Sequence, residues 1–308
     1  MDSVFQSATT QAEEINRLHI YFFYGAGFIL FVVIAATIFI LYKFKSKGEG
    51  NDYTPKTLSG KWEILMLGVP TAMIILFFFL TIRTMGKVLP SADGRVPDVV
   101  ITGHQFWWEA QYPSQNVTAA NEIHLPAGRT ILLKLLSTDV IHDWWIPEFG
   151  NKMDLVSGRE NFLWLHIKKP GRYYGACSEF CGAQHAGMRI VVVAQPEAEY
   201  NQWLQQHKQA ASVNNDALAQ TGAQLFQIKT CGNCHSIHGT AANGKVGPDL
   251  THLASRQTLL SGIIPNNKEN LSHWIQNPQD VKPGANMPKF LLDKQNTEAL
   301  VAYLSSLK

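Results

Sequence analysis

Residues 1–19 are mostly polar, and the chain then runs from Ile20 to Tyr42, 23 residues, without a charge. A second apolar run, Trp62 to Ile82, has 21 residues and one carboxylate, Glu63, near its start. Either run is long enough to cross roughly 30 Å of hydrocarbon as a helix. The pattern predicts two transmembrane helices, about 20–42 and 62–82, forming a hairpin within residues 1–96. A signal peptide fits poorly, because the first run exceeds a signal core and no small-residue cleavage site follows it.

Between residues 98 and 194 the period changes. Short runs rich in β-branched residues, or alternating polar and apolar, are separated by Gly, Pro and Asn; examples are Val99–Ile101, Glu122–Leu125, Thr130–Leu135, Phe162–Ile167 and Arg189–Val193. This predicts an antiparallel Greek-key β-sandwich over 97–195. Pro196 opens a helix that reaches about His207 with Tyr200, Trp203 and Leu204 on one face, and a small, polar stretch from Ala210 to Asp216 reads as a linker, so 196–216 joins two domains. Asp216–Lys229 and Thr297–Leu307 repeat apolar residues at helical spacing, which predicts a small all-α domain over 217–308. The fold class is therefore multi-domain: a membrane hairpin, a β-sandwich and a helical domain.

Only 16% of residues are charged, below the roughly 25% of a soluble average, in keeping with a membrane part. A net charge of +2 gives no reason to expect a nucleic-acid partner. Lysines set the orientation. Lys43, Lys45, Lys47, Lys56 and Lys61 lie in the connecting loop, against Arg17 before the first helix and Arg83, Lys87 and Arg95 after the second. By the positive-inside rule the loop is cytoplasmic, and both termini and both soluble domains lie on the periplasm-like side of a cell membrane. Glu63 then sits at the cytoplasmic end of the second helix, either as a carboxylate snorkelling to water or as a site of proton uptake.

All four cysteines fall in ligand motifs. Cys177, Cys181, His185 and Met188 lie within twelve residues, and His142 is an upstream candidate. Cys181, His185 and Met188 have the order of a mononuclear blue-copper loop. Cys177 is one thiolate more than one copper needs, which points to a dinuclear, electron-carrying copper site. A structural zinc or a disulfide would also use such residues, though zinc rarely takes a thioether such as Met188. Farther on, Cys231-Gly232-Asn233-Cys234-His235 has the attachment pattern of a c-type haem, with both thiols bonded to the porphyrin and His235 on iron. Met287 is the only methionine after this motif and the best sixth ligand; His238, His252 and His273 are weaker rivals expected at the surface.

Gly103-His104-Gln105-Phe106-Trp107-Trp108, Val140–Trp144 and Tyr173–Gly182, following two membrane helices, resemble subunit II of haem–copper cytochrome c oxidases. The helical domain makes the chain similar to the fused type of bacterial caa oxidases. The resemblance implies a cupredoxin-like sandwich in which His142, Cys177, Cys181, His185, Met188 and the Glu179 carbonyl hold copper A. It implies that the Glu179 side chain reaches a magnesium ion shared with subunit I, with Asp154 nearby. Glu63 falls where the family takes up protons, and Pro248 where it packs against the haem. Phe106 stands where many members have a tryptophan that receives electrons from cytochrome c, and Trp107 and Trp108 follow it. Gln111 to Ala120 has no acidic residue, so docking of a soluble cytochrome by charge is not expected; a tethered donor supplies the high effective concentration instead.

The implied function is that of an electron-input subunit of a proton-pumping terminal oxidase in a bacterial inner membrane. Its implied partners are subunit I, where dioxygen is reduced, subunit III, and a donor such as a quinol–cytochrome c reductase, a cytochrome or a cupredoxin. A copper-containing nitric oxide reductase subunit and a free-standing membrane-tethered electron carrier are the alternatives.

Overall fold

A computed structural model describes residues 5–45, 59–89, 94–213 and 216–308. Lys47 and Lys56 of the orientation argument, and Asn214 and Asn215 of the linker, lie outside them. The chain divides into two compact units, one of Glu13–Leu89 and one of Met1–Ala12 with Pro90–Lys308.

The first unit is the helical hairpin. Helix α1 spans Thr10–Lys43 (34 residues) and α2 spans Gly60–Val88 (29 residues), and both are long and apolar enough to cross a membrane. They extend beyond the apolar runs at both ends. Thr9 explains the early start of α1: its hydroxyl accepts a hydrogen bond from the Ala12 amide at 3.0 Å, as a helix cap does. Within the hairpin Phe22 stacks on Phe77 with ring centroids 4.3 Å apart, and Lys87 pairs with Glu14 at 2.8 Å.

In the second unit ten strands form two five-stranded sheets. The first has the order β3 (Val117–Ala120), β2 (Trp107–Tyr112), β1 (Val99–His104), β5 (Thr130–Ser137), β8 (Asn161–His166). The second has the order β4 (Glu122–Pro126), β10 (Arg189–Gln195), β9 (Gly171–Cys177), β6 (His142–Trp145), β7 (Lys152–Leu155). The sandwich is not wholly antiparallel, since β1 pairs in parallel with β5 and β10 with β4. The chain leaves one sheet for the other between these strands and returns in the same direction. Trp108, Trp144, Phe149, Ile101 and Leu133 are among the side chains that fill the space between the sheets. Residues 8–11 belong to this unit rather than to the hairpin: the Ala8 amide donates to Glu148 O, the Thr9 hydroxyl to Phe149 O, and the His166 amide to Gln11 Oε1.

Helix α3 (Glu197–His207) buries Tyr200, Trp203 and Leu204, the face read from the sequence. The helical domain follows with α4 (Ala217–Ile228), α5 (Lys268–Gln276), α6 (Pro278–Val281) and α7 (Lys294–Leu304). It has its own core of Phe226, Ile237, Leu271, Leu300, Tyr303 and Leu307, and adds a two-stranded ladder, Thr258–Leu259 with Ile264–Pro265, to the all-α expectation.

The helical domain is docked on the sandwich. Glu122 is 4% exposed, and its Oε1 accepts from the Gln257 amide, the Thr258 amide and the Thr258 hydroxyl at 2.7–2.8 Å. Its other oxygen pairs with Arg172 at 3.3 Å. Ser261 Oγ donates to Phe106 O (3.0 Å), Asn286 Nδ2 to Gln105 O (2.9 Å), and Gln184 Nε2 to Pro283 O (2.6 Å).

Candidate metal centre and haem cavity

Adjacent strands β6 and β9 bring His142 to the thiols, since Trp144 lies opposite Cys177 in the ladder. The Cys177 amide donates to Met188 O at 3.0 Å, which closes the loop that carries Cys181 and His185. Ligand atoms of His142, Cys177 and Cys181 lie within 4.8 Å of one another. Cys177 Sγ is 3.9 Å from His142 Nδ1 and 3.2 Å from Glu179 O; Cys181 Sγ is 3.7 Å from His185 Nδ1 and 3.8 Å from Met188 Sδ. All six groups expected at the centre therefore converge, each imidazole through Nδ1. His142 and Met188 are 0% exposed, Cys181 3% and Cys177 4%. Both cysteines are free.

The surroundings fix this donor set. Asp139 Oδ1 lies 2.8 Å from His142 Nε2, which turns Nδ1 toward the thiols, as carboxylates do behind metal-bound imidazoles. A Cβ at Gly103 would lie 2.8 Å from His142 Cδ2, so only glycine on β1 lets the ring pack there. Burial opposes charging of His142, but its hydrogen bonds to Cys177 and Asp139 outweigh this and raise its pKa. The hydrogen bond from Cys181, helped by His142, pulls the Cys177 thiol well below its ordinary range; the same contact and burial push Cys181 up. One thiolate is thus available, the form a soft metal needs.

Asp154 is exposed on β7, opposite the buried Asp143. Burial, then the hydrogen bond and charge of Asp154, push Asp143 up to about 7. Glu179 is also exposed, while its carbonyl faces Cys177. Glu63 lies in the first turn of α2.

A mostly apolar cavity carries Cys231, Cys234, His235, Pro248 and Met287 on its walls. His235 Nδ1 donates to Pro248 O at 2.7 Å, leaving Nε2 for iron. Burial lowers the pKa of His235 and so favours the neutral ring that a metal requires. A Cβ at Gly247 would lie 2.6 Å from His235 Cε1, so the ring rests directly on that backbone. Two thiols, an imidazole with Nε2 free and a thioether on the walls of one apolar cavity are the groups that suit a haem c. None of His238, His252 and His273 lines it. His252 is not a surface residue: it is 6% exposed and its ring packs at a tilt against His207, centroids 4.3 Å apart.

Phe106 and Trp107 of the sandwich line the same cavity. The Phe106 ring also touches the thiol loop, since its Cε1 and Cζ lie 3.2 Å from a Cβ built on Gly182, the neighbour of Cys181. Gln105 Nε2 donates to Cys181 O at 2.6 Å. Trp108 takes a different place, fully buried in the sandwich core against Trp144 and 5.9 Å from the His142 ring. Sequence reasoning missed Gln105, Asp139 and Asp143; Asp139, three residues before a proposed ligand, is the one whose position was a readable signal.

Three comparisons with known proteins bear on these sites. Residues 114–195 match the family described as cytochrome C oxidase subunit II, periplasmic domain, and residues 219–308 match cytochrome c. The chain is 35% identical over 289 residues to cytochrome c oxidase subunit 2 of Alkalihalophilus pseudofirmus, covering 90% of this chain and 82% of that protein. It belongs to the cytochrome c oxidase subunit 2 family. The subunit 2 protein of Bacillus sp. strain PS3 is 30% identical, over 86% of this chain and 79% of its own length. The crystal structure of the periplasmic domain of subunit II (CoxB) of Bradyrhizobium japonicum is 31% identical, covers 39% of this chain and 96% of that one, with a TM-score of 0.36. Membership of the cytochrome c oxidase subunit 2 family makes the chain a component of an oxidoreductase. Its two domain types suggest copper A and haem c, and its apolar helices fit a membrane-anchored protein.

Proposed function

We propose that the chain is the electron-input subunit of a terminal oxidase, in which electrons pass from a covalent haem c to dinuclear copper A and on to subunit I, where dioxygen becomes water and protons are pumped. Cys231 and Cys234 attach the haem, His235 and Met287 are its axial ligands, and Pro248 holds His235 in its tautomer. His142, Cys177, Cys181, His185, Met188 and the Glu179 carbonyl hold copper. The side chains of Glu179 and Asp154 face magnesium at the subunit I contact, and Glu63 takes up protons from the cytoplasmic side. The soluble domains lie in the periplasm, and the external donor, a quinol–cytochrome c reductase, a cytochrome or a cupredoxin, reduces the haem rather than copper. Subunit III completes the assembly.

One observation carries this reading: Phe106 borders the haem cavity on one side and touches Gly182, beside Cys181, on the other. It gives the two centres a shared wall one side chain thick. The test is flash reduction of the haem in the copper-loaded full chain, with copper oxidation state followed optically. Transfer that is independent of protein concentration supports the reading. A haem that stays reduced while copper remains oxidised overturns it.

A further inference from the structure

Among the groups on the cavity wall, Lys282 has no counterpart in the reading above. It is 4% exposed, and its Nζ donates to Phe106 O at 2.9 Å. That carbonyl is its one hydrogen-bond partner among the described residues. An ammonium has three donors, and a buried charge with only a neutral partner is costly unless an anion completes its shell. Burial pulls the Lys282 pKa down to about 8, so the group stays mainly protonated at neutral pH. Arg256 lines the same cavity but is already compensated, since it donates to Asp249 O and has the carboxylates of Asp249 and Glu122 near it. Lys229 also lines the cavity but is only half-buried and within reach of water, so Lys282 is the buried cation in this wall that still calls for a negative charge.

We infer that Lys282 pairs with a haem propionate, and that its ammonium ties this carboxylate to the Phe106 carbonyl at the junction between the two centres. The inference rests on the haem reading of the cavity. Haem carries two propionates, and an occupant whose thioether bonds and iron ligands are fixed by Cys231, Cys234, His235 and Met287 has limited freedom to turn them elsewhere. Lys282 is then a positioning residue with an electrostatic effect. A fixed positive charge beside the porphyrin disfavours the more positive ferric state and raises the haem potential, one of the levers a protein has over its haem.

The experiment uses the full chain carrying haem and copper. Lys282→Gln keeps a donor for Phe106 O and removes the charge; Lys282→Arg keeps the charge. In Lys282→Gln the haem-to-copper electron equilibrium should move about tenfold toward reduced copper, which is 59 mV for one electron. In Lys282→Arg it should stay within about threefold, a margin set well inside that tenfold step. The two-copper resonance pattern should be unchanged in both, which reports an intact sandwich. An unmoved haem potential in Lys282→Gln overturns the pairing. Should the Gln variant fail to fold, the wild-type chain decides: a redox-linked infrared carboxylate band, assigned by ¹³C-labelled propionates and shifted by deuteration, supports the pair, and a band insensitive to deuteration overturns it. A chain that binds no covalent haem, by its alkaline pyridine spectrum, defeats the cavity reading itself, whereas haem with an unmoved potential defeats only the role of Lys282.

Discussion

Every ligand atom gathered around Cys177 and Cys181 comes from the sandwich, whereas the haem cavity draws its wall from both domains. The thiol centre is held by strand pairing, by the loop-closing bond from Cys177 to Met188, and by Asp139 behind His142. The haem cavity is complete only while Phe106, Trp107 and Lys282 meet across the domain junction. The first is a site built into one rigid element, the second a site completed by docking. Damage to one should therefore leave different traces from damage to the other.

The largest effect separates them outright. Cys181→Ser should abolish the two-copper hyperfine pattern in electron paramagnetic resonance while the haem absorbance survives; joint loss of both would mean the two sites are one folding unit. The reverse experiment is Gly247→Ala, which places a methyl 2.6 Å from His235 Cε1. It should displace the imidazole and weaken the low-spin haem spectrum, with the copper signal intact.

A third substitution strikes the docking itself. Glu122→Ala removes three hydrogen bonds to the helical domain and leaves Arg172 without its partner. Hydrogen bonds to charged groups are worth about 1.5–3 kcal/mol each, and losses are not additive, so about 3 kcal/mol of stability should go, read from denaturant midpoints. Intramolecular transfer should slow, while both cofactors remain bound. Unchanged transfer would show that other contacts suffice to hold the domains.

The smallest effect is titratable. The His124 and His207 rings both pack on Trp203, each with its centroid 4.1 Å away, at the edge of the junction. Burial lowers their pKa values to about 4 and about 3. Both are neutral in the folded protein, while the unfolded chain binds protons near pH 6.5. Stability should then be full above pH 6.5 and fall as pH drops toward 4, by about 2 kcal/mol per histidine at pH 5. Thermal midpoints across that range check this, and His207→Gln should flatten the slope.

What the sequence made legible follows from how local each signal is. Apolar runs longer than 20 residues announced the hairpin, but their flanks did not reveal that a cap at Thr9 starts α1 early. Four of the five metal-ligating side chains lie within twelve residues, so their chemistry could be read before any fold was known. His142 needed only one strand pairing to join them. Gln105 and Lys282 were illegible, because their partners lie 76 and 176 residues away along the chain. Alternation in a strand tells which residues share a face, not which strand lies alongside, so the two parallel pairs were invisible too. The same alternation separates Trp107, on the haem-cavity wall, from Trp108, in the core, though nothing in the tripeptide Phe106–Trp108 marks their different roles.

The bonds that the buried Glu122, Ser261 and Lys282 make across the junction have a consequence for how the protein responds to salt. Encounters between separate redox proteins are steered by exposed charges, and added electrolyte screens these beyond about 10 Å at 0.1 M. Across this junction the charged contacts, made by Glu122 and Lys282, are shut away from solvent and the rest are neutral hydrogen bonds. Ionic strength should therefore act on the arrival of electrons from outside and pass the inner step by, so that one salt titration of turnover reports on the external donor alone.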